Sequence, residues 1–576
     1  MDRTKHPRMT LARDDFEFLN GVWGFEFDTD DRGLKEKWYK DKKFSKKIVV
    51  PYVYQCEKSG INVQDRVEVI WYGREFSASP APEIRTVLHF GAVDYHATVW
   101  VNGELAGSHA GGYTSFEFDI TSYIIRGKNT LIVRAADSFD RFQVRGKQYC
   151  PPKIDRCFYE ASSGIWQDVW LERTGEYKID NLRITPSIKD RCVRMELNVN
   201  KFAQGLAAQF QISYNGETAR TLCINLDSPV SFITADIYED DFVDEKHYWM
   251  PESPNLYDVK AELVLGGKVT DTVYSYFGMR EVEVRNGDIL LNNQPLYQRL
   301  VLHQGYFDGA LYTASDEQLK ADIELIKSYG FNGVRMHQKI EHPRFYYWAD
   351  KLGLLVWGEM PSCYQFYAGG VSEFFAQTAE FVGRDYNCPS IIMWVPFNES
   401  WGVRNVRYDK RQIEFVKGVS ALIKAMDPVR LVSGNDGWEI AGSDIIGVHN
   451  YYRGGERFTE DLSDAEKYAL GTVNNFRQVL CDGESLDGRP ILLTEYGGIS
   501  FASDNGWGYA GAAETQEEYL QRFEDLQKRI YTMPLIKGFC YTQLTDVYQE
   551  TNGLTDMQRR PKIEKELIKP LILGGF

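Results

Sequence analysis

The chain has 576 residues and a formal net charge of −16, so it exceeds the size of one hydrophobic core and is too acidic for a nucleic-acid partner. Hydrophobic residues make up 43% and charged residues 26%, as in ordinary globular proteins, and no apolar run reaches the ~18 residues of a membrane span. The nine cysteines contain no CxxC pair, which disfavours a disulfide framework or a zinc knuckle. Because the polar N-terminal residues contain no apolar h-region, we expect no signal peptide and a cytoplasmic protein with reduced thiols.

The first half of the chain shows the short alternating runs that are typical of β-strands. Residues 85–90 and 130–134 alternate apolar and polar side chains, and turn residues separate these runs from their neighbours. Similar runs continue beyond a boundary that is predicted after residue 175. We therefore predict two β-sandwiches, one over residues 1–175 and a smaller one over residues 176–281.

From about residue 282 the hydrophobic period changes, and helices begin to alternate with strands. Ser315 and Gln318 form a capping-box pattern that predicts a helix start, and a strand is predicted at residues 333–337. The alternation continues to the end of the chain, with one of the later helices predicted at residues 463–480. Eight β/α units in about 290 residues predict a (β/α)8 TIM barrel over residues 282–576.

Two glutamates lie where predicted barrel strands end. Glu399 follows the apolar run of residues 391–397, predicted as strand 4, and Glu495 ends the run of residues 490–494, predicted as strand 7. TIM barrels keep their catalytic groups at the C-terminal ends of the strands, and glycoside hydrolysis needs two carboxylates in one pocket. The sequence contains no P-loop, no HExxH helix and no GxSxG turn, so we expect no metal and no other cofactor.

Several segments resemble glycoside hydrolase family 2, the family of β-galactosidases, β-glucuronidases and β-mannosidases. The segment Pro389-Ser-Ile-Ile-Met-Trp-Val-Pro-Phe-Asn-Glu399 is similar to the family segment that carries the acid/base, and Leu493-Thr-Glu-Tyr-Gly497 is similar to the nucleophile segment. Residues 111–121 and 351–359 resemble landmarks of the family's sugar-binding domain and barrel. The resemblance implies an N-terminal jelly-roll-like β-sandwich, an immunoglobulin-like β-sandwich and a C-terminal TIM barrel.

The resemblance also implies roles for single residues. Glu399 would be the acid/base and Glu495 the nucleophile of a retaining mechanism, in which the two carboxyl groups stand ~5–5.5 Å apart. Asn398 would hold the sugar 2-hydroxyl, a contact that strengthens toward the transition state. Tyr451 would hydrogen-bond the nucleophile, with aromatic core packing as its structural alternative.

Five further residues are candidates for substrate binding, some of them with a structural alternative. Glu359 either touches a sugar hydroxyl or orients a neighbouring arginine, and His337 and His303 either bind substrate or are satisfied structural histidines. Asp155 occupies the position from which family members send an acidic residue of the first domain into the pocket. Tyr541 stands in place of the family's tryptophan on strand 8.

These residues predict a retaining exo-β-glycosidase that hydrolyses terminal β-galactosides. The Asn-x-Lys device of family β-glucuronidases has no counterpart near residues 551–554, and Lys339 and Arg335 are the best substitutes for its lysine. Two alternatives stay open: the same mechanism on a β-glucuronide, galacturonide or arabinoside, and a catalytically silent carbohydrate-binding protein. A carbohydrate is the expected partner, neither nucleic acid nor membrane is expected, and the formation of a homo-oligomer is left open.

Overall fold

The computed structural model describes residues 3–148, 156–237, 247–454, 456–460, 464–473, 477–503 and 505–576. The first β-sandwich consists of two antiparallel sheets whose inner side chains share one core, which includes Trp23, Leu88 and Val133. Its six-stranded sheet contains, in spatial order, Lys46–Val50, Gly21–Phe27, Val69–Ala78, Gly127–Ala136, His96–Val101 and Glu104–Ala110. Its four-stranded sheet contains Phe16–Phe18, Val169–Gly175, Ile84–Phe90 and Phe116–Asp119.

The second β-sandwich packs a three-stranded antiparallel sheet against a four-stranded one. Along Leu206–Tyr214 buried positions alternate with more exposed ones, because successive side chains of a strand point to opposite faces. The smaller sheet contains Ile179–Ser187, Cys192–Val199 and Val230–Asp236. The larger sheet contains Glu217–Asn225, Leu206–Tyr214, Tyr257–Leu265 and Lys268–Phe277. Both predicted sandwiches are thereby confirmed.

The C-terminal half forms a parallel eight-stranded barrel, as predicted. Its strands 1 to 8 are Gln298–His303, Gly333–Met336, Leu355–Glu359, Ile391–Val395, Leu431–Val432, Ile446–Asn450, Ile491–Gly497 and Ile536–Thr542. Hydrogen bonds join them in the order 5-4-3-2-1-8-7-6, and a bridge between Gly437 and Val448 closes the ring between strands 5 and 6. The longer helices outside the ring are Asp316–Ser328, Pro343–Leu352, Ala368–Asp385, Lys410–Met426, Gln516–Thr532 and Lys565–Ile572.

Short elements connect these domains. A three-stranded sheet precedes the barrel and consists of Val282–Arg285, Asp288–Leu291 and Gln294–Pro295. Its apolar side chains pack against side chains of the barrel strands. The remaining short strands pair as Val93–Asp94 with Gly164–Ile165, Trp249–Met250 with Ser253–Pro254, and Ile499–Phe501 with Gly511–Ala513. The short helices are Arg3–Lys5, Met9–Leu11, Trp38–Asp41, Glu57–Ser59 and Glu456–Glu460.

Local sequence chemistry explains several helix boundaries. The Ser315 side chain accepts a hydrogen bond from the Gln318 backbone, and the Gln318 side chain accepts one from the Ser315 backbone, so the predicted capping box is present. The predicted helix at residues 463–480 is wrong. The described residues there form a short helix, Ala465–Ala469, followed after Gly471 by a hairpin of Thr472–Val473 and Arg477–Gln478. Among the described residues, no helix is both long enough and apolar enough to cross a bilayer.

Candidate active site

The two glutamates identified from the sequence meet at the C-terminal end of the barrel. Glu495 lies within strand 7, whereas Glu399 lies beyond the end of strand 4 in an unusual backbone conformation. Glu399 has a φ of 51° and Ser400 a φ of 57°, values that side chains other than glycine rarely adopt. The Glu399 N–H donates to the Asp436 carbonyl at 2.8 Å, and the Ser400 N–H donates to the Asn435 side chain at 3.0 Å. These bonds hold the strained turn that presents Glu399.

The two carboxylates approach each other closely. One carboxylate oxygen of Glu399, one of Glu495 and a ring nitrogen of His449 all lie within 4.8 Å of one another. The Glu399 side chain is 23% exposed and the Glu495 side chain 6% exposed, so Glu399 is the more open of the two. The pair therefore combines a nearly enclosed carboxylate with one that faces solvent.

Arg335 on strand 2 is the centre of the buried charge network. Its guanidinium lies 3.1 Å from Glu495 Oε1, 2.7 Å from Asp436 Oδ2 and 2.7 Å from Glu359 Oε2. It also donates to Asn398 Oδ1 at 2.7 Å, which fixes the orientation of that amide. Burial would lower the pKa of Arg335, but the surrounding carboxylates raise it well above its ordinary value. Arg335 is thus fully engaged inside the protein.

His449 on strand 6 bridges the two catalytic candidates and Asp436. Its Nδ1 lies 2.7 Å from Glu399 Oε1, and its Nε2 lies 3.0 Å from Asp436 Oδ2 and 3.5 Å from Glu495 Oε1. Burial would lower the pKa of His449, but the three carboxylates raise it to about 10. A metal ligand needs an unprotonated nitrogen, so a metal ion at this close trio would have to displace a proton from His449.

Tyr451 completes the surroundings of Glu495. Its hydroxyl donates to Glu495 Oε2 and lies 3.1 Å from Thr542 Oγ1 on strand 8. The Tyr451 ring stacks on Tyr509 at a centroid distance of 4.2 Å, and Trp507 meets Tyr509 edge-on at 4.9 Å. The loop after strand 7, which carries Trp507 and Tyr509, thus forms an aromatic wall beside Glu495.

Glu359 lies between Arg335 and His337. Glu359 pairs with Arg335 through Oε2, and its Oε1 accepts from the Gln338 N–H at 3.0 Å and lies 3.1 Å from His337 Nδ1. Burial raises the pKa of Glu359, although Arg335 opposes the rise. Burial, reinforced by the nearby charge of Lys147, holds the pKa of His337 well below its ordinary value. Glu359 therefore orients Arg335, and His337 is a neutral side chain within the site.

Two of the remaining sequence candidates, His303 and Tyr541, do not join this cluster. His303 Nε2 lies 3.1 Å from Asp322 on the outer helix Asp316–Ser328. The Tyr541 hydroxyl forms a hydrogen bond of 2.8 Å with the Tyr519 hydroxyl on an outer helix. Alternate side chains of strand 8 face outward, so Tyr541 points away from the site and its neighbour Thr542 points into it. Asp155 lies outside the described residues.

The sequence interpretation missed several residues of the site. His449 lies on strand 6 and Tyr451 is one residue beyond its end, so a strand's period of two, continued by one residue, would place both side chains on one face. Asp436 follows the short strand 5 and carries no comparable signal. Lys147 belongs to the first β-sandwich, but its ammonium lies 3.5 Å from Glu550 of the barrel, and burial together with this charge lowers the pKa of His337. No local sequence pattern predicts this contact.

Two β-sandwiches followed by a TIM barrel with paired carboxylates at its catalytic end define a multidomain protein of the carbohydrate-active class. Models of glycosyl hydrolases family 2 match almost the whole chain: the sugar binding domain matches residues 16–174, the central family domain residues 177–280 and the TIM barrel domain residues 282–569. The chain therefore belongs to glycoside hydrolase family 2, as the sequence resemblance implied.

Known relatives differ in the sugar that their names specify. The chain is 29% identical to a putative β-glucuronidase of Formosa agariphila over 70% of this chain and 48% of that protein. It is 28% identical to a β-galactosidase of Thermoanaerobacter pseudethanolicus over 67% of this chain and 50% of that protein. The chain thus spans about half the length of these relatives. A solved β-galacturonidase of Eisenbergiella tayi, 20% identical, has the same fold with a TM-score of 0.76 over 98% of this chain and 97% of that one.

Proposed function

We propose that the protein is a retaining, exo-acting β-glycosidase in which Glu495 is the nucleophile and Glu399 the acid/base. The observation that carries this proposal is the approach of their carboxylate oxygens to within 4.8 Å. Retaining enzymes hold the two carboxyl groups ~5–5.5 Å apart, whereas inverting enzymes need ~6.5–9.5 Å to admit a water molecule between one carboxylate and the sugar. The short separation supports direct attack by a carboxylate on the sugar.

The surroundings of each carboxylate support its assigned role. Arg335 and Tyr451 each donate to a different oxygen of Glu495, so they orient the carboxylate and stabilise its negative charge for attack. Glu399 contacts His449 through Oε1 only, and its partial exposure leaves Oε2 able to carry the proton for a leaving group. The Asn398 side-chain carbonyl is held by Arg335, and its amide N–H groups, which make no hydrogen bond among the described residues, can donate to the sugar 2-hydroxyl.

The proposed reaction has two displacement steps. In the first, an oxygen of Glu495 bonds to the anomeric carbon, the bond from that carbon to the glycosidic oxygen breaks, and Glu399 donates its proton to the departing oxygen. In the second, water attacks the same carbon, Glu399 accepts a proton from that water, and the ester bond to Glu495 breaks. The sugar leaves with its original anomeric configuration.

For the glycon we propose a β-uronide rather than the β-galactoside that the sequence favoured. The names of the Formosa and Eisenbergiella relatives specify uronides, and these relatives support the alternative more than the galactoside. Lys339 does not serve as the recognising cation, since its ammonium already bonds the Gly305 carbonyl at 2.7 Å, the Tyr312 carbonyl at 3.0 Å and Glu341 at 2.7 Å. A uronide therefore needs a different cation in the pocket.

The test combines a substrate panel with labelling of the nucleophile. We expect p-nitrophenyl β-glucuronide or β-galacturonide to be hydrolysed with a higher kcat/KM than the β-galactoside. A 2-fluoro sugar inactivator should label Glu495, and Glu495→Gln should lower kcat by at least about 10⁴-fold while the circular dichroism spectrum stays unchanged. Labelling of Glu359, or inversion of the anomeric configuration in the product, would refute the mechanism.

A further inference from the structure

Lys147 reaches the catalytic end of the barrel from the first β-sandwich. The N–H groups of Arg145 and Gly146 both donate to the Ser362 carbonyl, at 3.2 and 3.0 Å, beyond the end of barrel strand 3. Gly146 has a φ of +60°, and a Cβ atom there would lie 2.2 Å from the Gln338 carbonyl oxygen. Only glycine allows this close approach. The backbone immediately before Lys147 is therefore fixed against the barrel.

The Lys147 ammonium is a buried cation close to both catalytic carboxylates. Its side chain is 4% exposed, and its nearest carboxylate among the described residues is Glu550 Oε2 at 3.5 Å. Burial would lower the pKa of Lys147, but Glu550, Cys157, Glu495 and Glu399 raise it above its ordinary value. Lys147 is therefore charged, and its field reaches the pocket in which the sugar must lie.

The donors of Lys147 are not used within the described part of the protein. An ammonium has three N–H donors, and among the described residues Lys147 makes only the long contact with Glu550. Lys339 shows the contrast, because it is equally buried and bonds three oxygen atoms at 3.0 Å or less. A buried ammonium with unused donors favours the entry of an anionic partner.

Unused acceptors lie beside the same ammonium. Glu550 Oε1 and Gln304 Oε1 are both buried, and neither has a hydrogen-bond partner among the described residues. Gln304 Nε2 donates to Gln543 Oε1 at 2.6 Å and to Glu550 Oε2 at 3.3 Å, so the Gln304 and Glu550 side chains are held together. Among the described residues, this region thus offers an ammonium with unused donors and, on the neighbouring side chains, acceptors suited to sugar hydroxyl groups.

We propose that Lys147 recognises the carboxylate of a β-uronide, while Glu550 and Gln304 accept hydrogen bonds from the neighbouring sugar hydroxyls. This assignment rests on the proposed glycosidase function and names the charge that its glycon carries. A uronide carboxylate would give Lys147 a charge-assisted partner, whereas a neutral glycon would leave the ammonium with its long Glu550 contact alone. Recognition of the acid would thus come from a β-sandwich and not from the barrel.

The decisive experiment removes the charge from the protein and, separately, from the substrate. The substrates are p-nitrophenyl β-glucuronide, its methyl ester, and p-nitrophenyl β-galactoside, of which only the first is charged. For Lys147→Gln we expect kcat/KM on the glucuronide to fall about 100-fold, mainly through KM, because one partner of a buried charge pair is lost. The values for the two neutral substrates should fall at least about tenfold less than the value for the glucuronide, because these substrates lose only the effect of the Lys147 charge on the catalytic pair. Equal losses on all three substrates would overturn the proposal and make Lys147 an electrostatic support of the catalytic pair.

A matched control and a wild-type measurement complete the test. Lys178→Gln removes another buried lysine, which pairs with Glu117 at 3.0 Å and Asp180 at 2.6 Å in the sandwich region, and it should leave the ratio of glucuronide to galactoside activity unchanged. Should the Lys147 variant fail to fold, inhibition of the wild-type protein decides: glucuronate should bind at least about tenfold more tightly than glucose. Similar inhibition by both sugars, or inhibition by neither, would overturn the assignment.

The outcomes for the two proposals are distinguishable. Labelling of Glu495 together with cleavage of the galactoside and not of the uronides would refute both the uronide glycon and the role of Lys147, but not the mechanism. Uronide cleavage that survives intact in Lys147→Gln would refute the role of Lys147 alone.

Discussion

Two clusters of buried charge invite comparison, one at the end of the barrel and one between the β-sandwiches. In the sandwich cluster Arg13 lies 2.7 Å from Glu172 and 2.9 Å from Asp271, and His6 and His89 approach Glu172 to 3.2 and 3.5 Å. The Glu172 and Asp271 side chains are 1% and 3% exposed, so both carboxylates are enclosed, and the cluster joins the strand Val169–Gly175 to the strand Lys268–Phe277 of the second sandwich.

The barrel cluster differs in the exposure of its carboxylates. Arg335 and His449 face four acidic side chains, namely Glu359, Asp436, Glu399 and Glu495. The Glu359 and Asp436 side chains are fully buried, whereas the Glu399 side chain is 23% exposed and the Glu495 side chain 6% exposed. A buried ion network alone therefore does not mark an active site. What distinguishes the barrel cluster is a pair of close carboxylates of which one is open to solvent.

Removal of the exposed Glu399 carboxylate is the strongest test of this difference between the clusters. For Glu399→Gln we expect turnover of glycosides with poor leaving groups to fall about 10²–10⁴-fold, because the departing oxygen no longer receives a proton. Activated aryl glycosides should lose much less in the first displacement step, since their leaving groups need little protonation. Steady-state and burst kinetics over a series of aryl leaving groups measure the difference. A uniform loss across the series would contradict the role of Glu399 as the acid.

The two clusters should respond differently when each loses its arginine. Arg13→Met and Arg335→Met both leave buried carboxylates without a cation, so each should lower the free energy of unfolding by about 3–5 kcal/mol. Only Arg335→Met should also lower kcat per folded molecule, because only Arg335 orients Glu495 and Asn398. Denaturant unfolding and titration of active sites with a fluorosugar separate the two effects. Loss of kcat in correctly folded Arg13→Met would remove the distinction between the clusters.

His449 should make the stability of the protein depend on pH. Its pKa is raised to about 10 in the folded state from about 6.5 in the unfolded chain, so protonation stabilises the fold fully below about pH 6.5. This contribution disappears as the pH rises through 10. We therefore expect the difference in thermal midpoint between the wild type and His449→Gln to be largest at pH 6 and to shrink toward pH 10. A difference that stays constant over this range would show that His449 is neutral in the folded protein.

Removal of metal ions should have the smallest effect of all. The close trio of Glu399, His449 and Glu495 has the spacing of a metal site, but the raised pKa of His449 means that a metal ion would have to displace its proton. We expect kcat/KM to be unchanged after dialysis against EDTA. Complete loss of activity that a divalent cation restores would contradict this expectation and would reassign the trio.

The sequence was sufficient to predict the fold and the two carboxylates, because both depend on local signals. The period of two predicts the sandwiches, the capping box predicts a helix start, and Glu399 and Glu495 follow apolar runs that the barrel topology brings to one end. The direction of Tyr541 was not predictable in the same way. An error of one position along a strand reverses the face to which a side chain points.

The remaining residues of the site depend on contacts between distant parts of the chain. Lys147 and Glu550 are far apart in sequence, and only the docking of a sandwich loop on the barrel brings them to 3.5 Å. The charge of His449 is likewise a property of its three carboxylate neighbours and not of its own segment. Such features follow from tertiary packing, which patterns along the chain do not encode.

The attachment of Gly146 to the barrel has a consequence for the modularity of this architecture. A barrel produced without the N-terminal domains would keep Glu399 and Glu495 but lose Lys147, and with it one side of the cavity. On the proposed role of Lys147, the barrel is therefore not a self-sufficient unit that protein engineers can transplant with its sugar selectivity intact. On the same proposal, sugar preference can change through remodelling of the N-terminal domain while Glu399 and Glu495 stay unchanged.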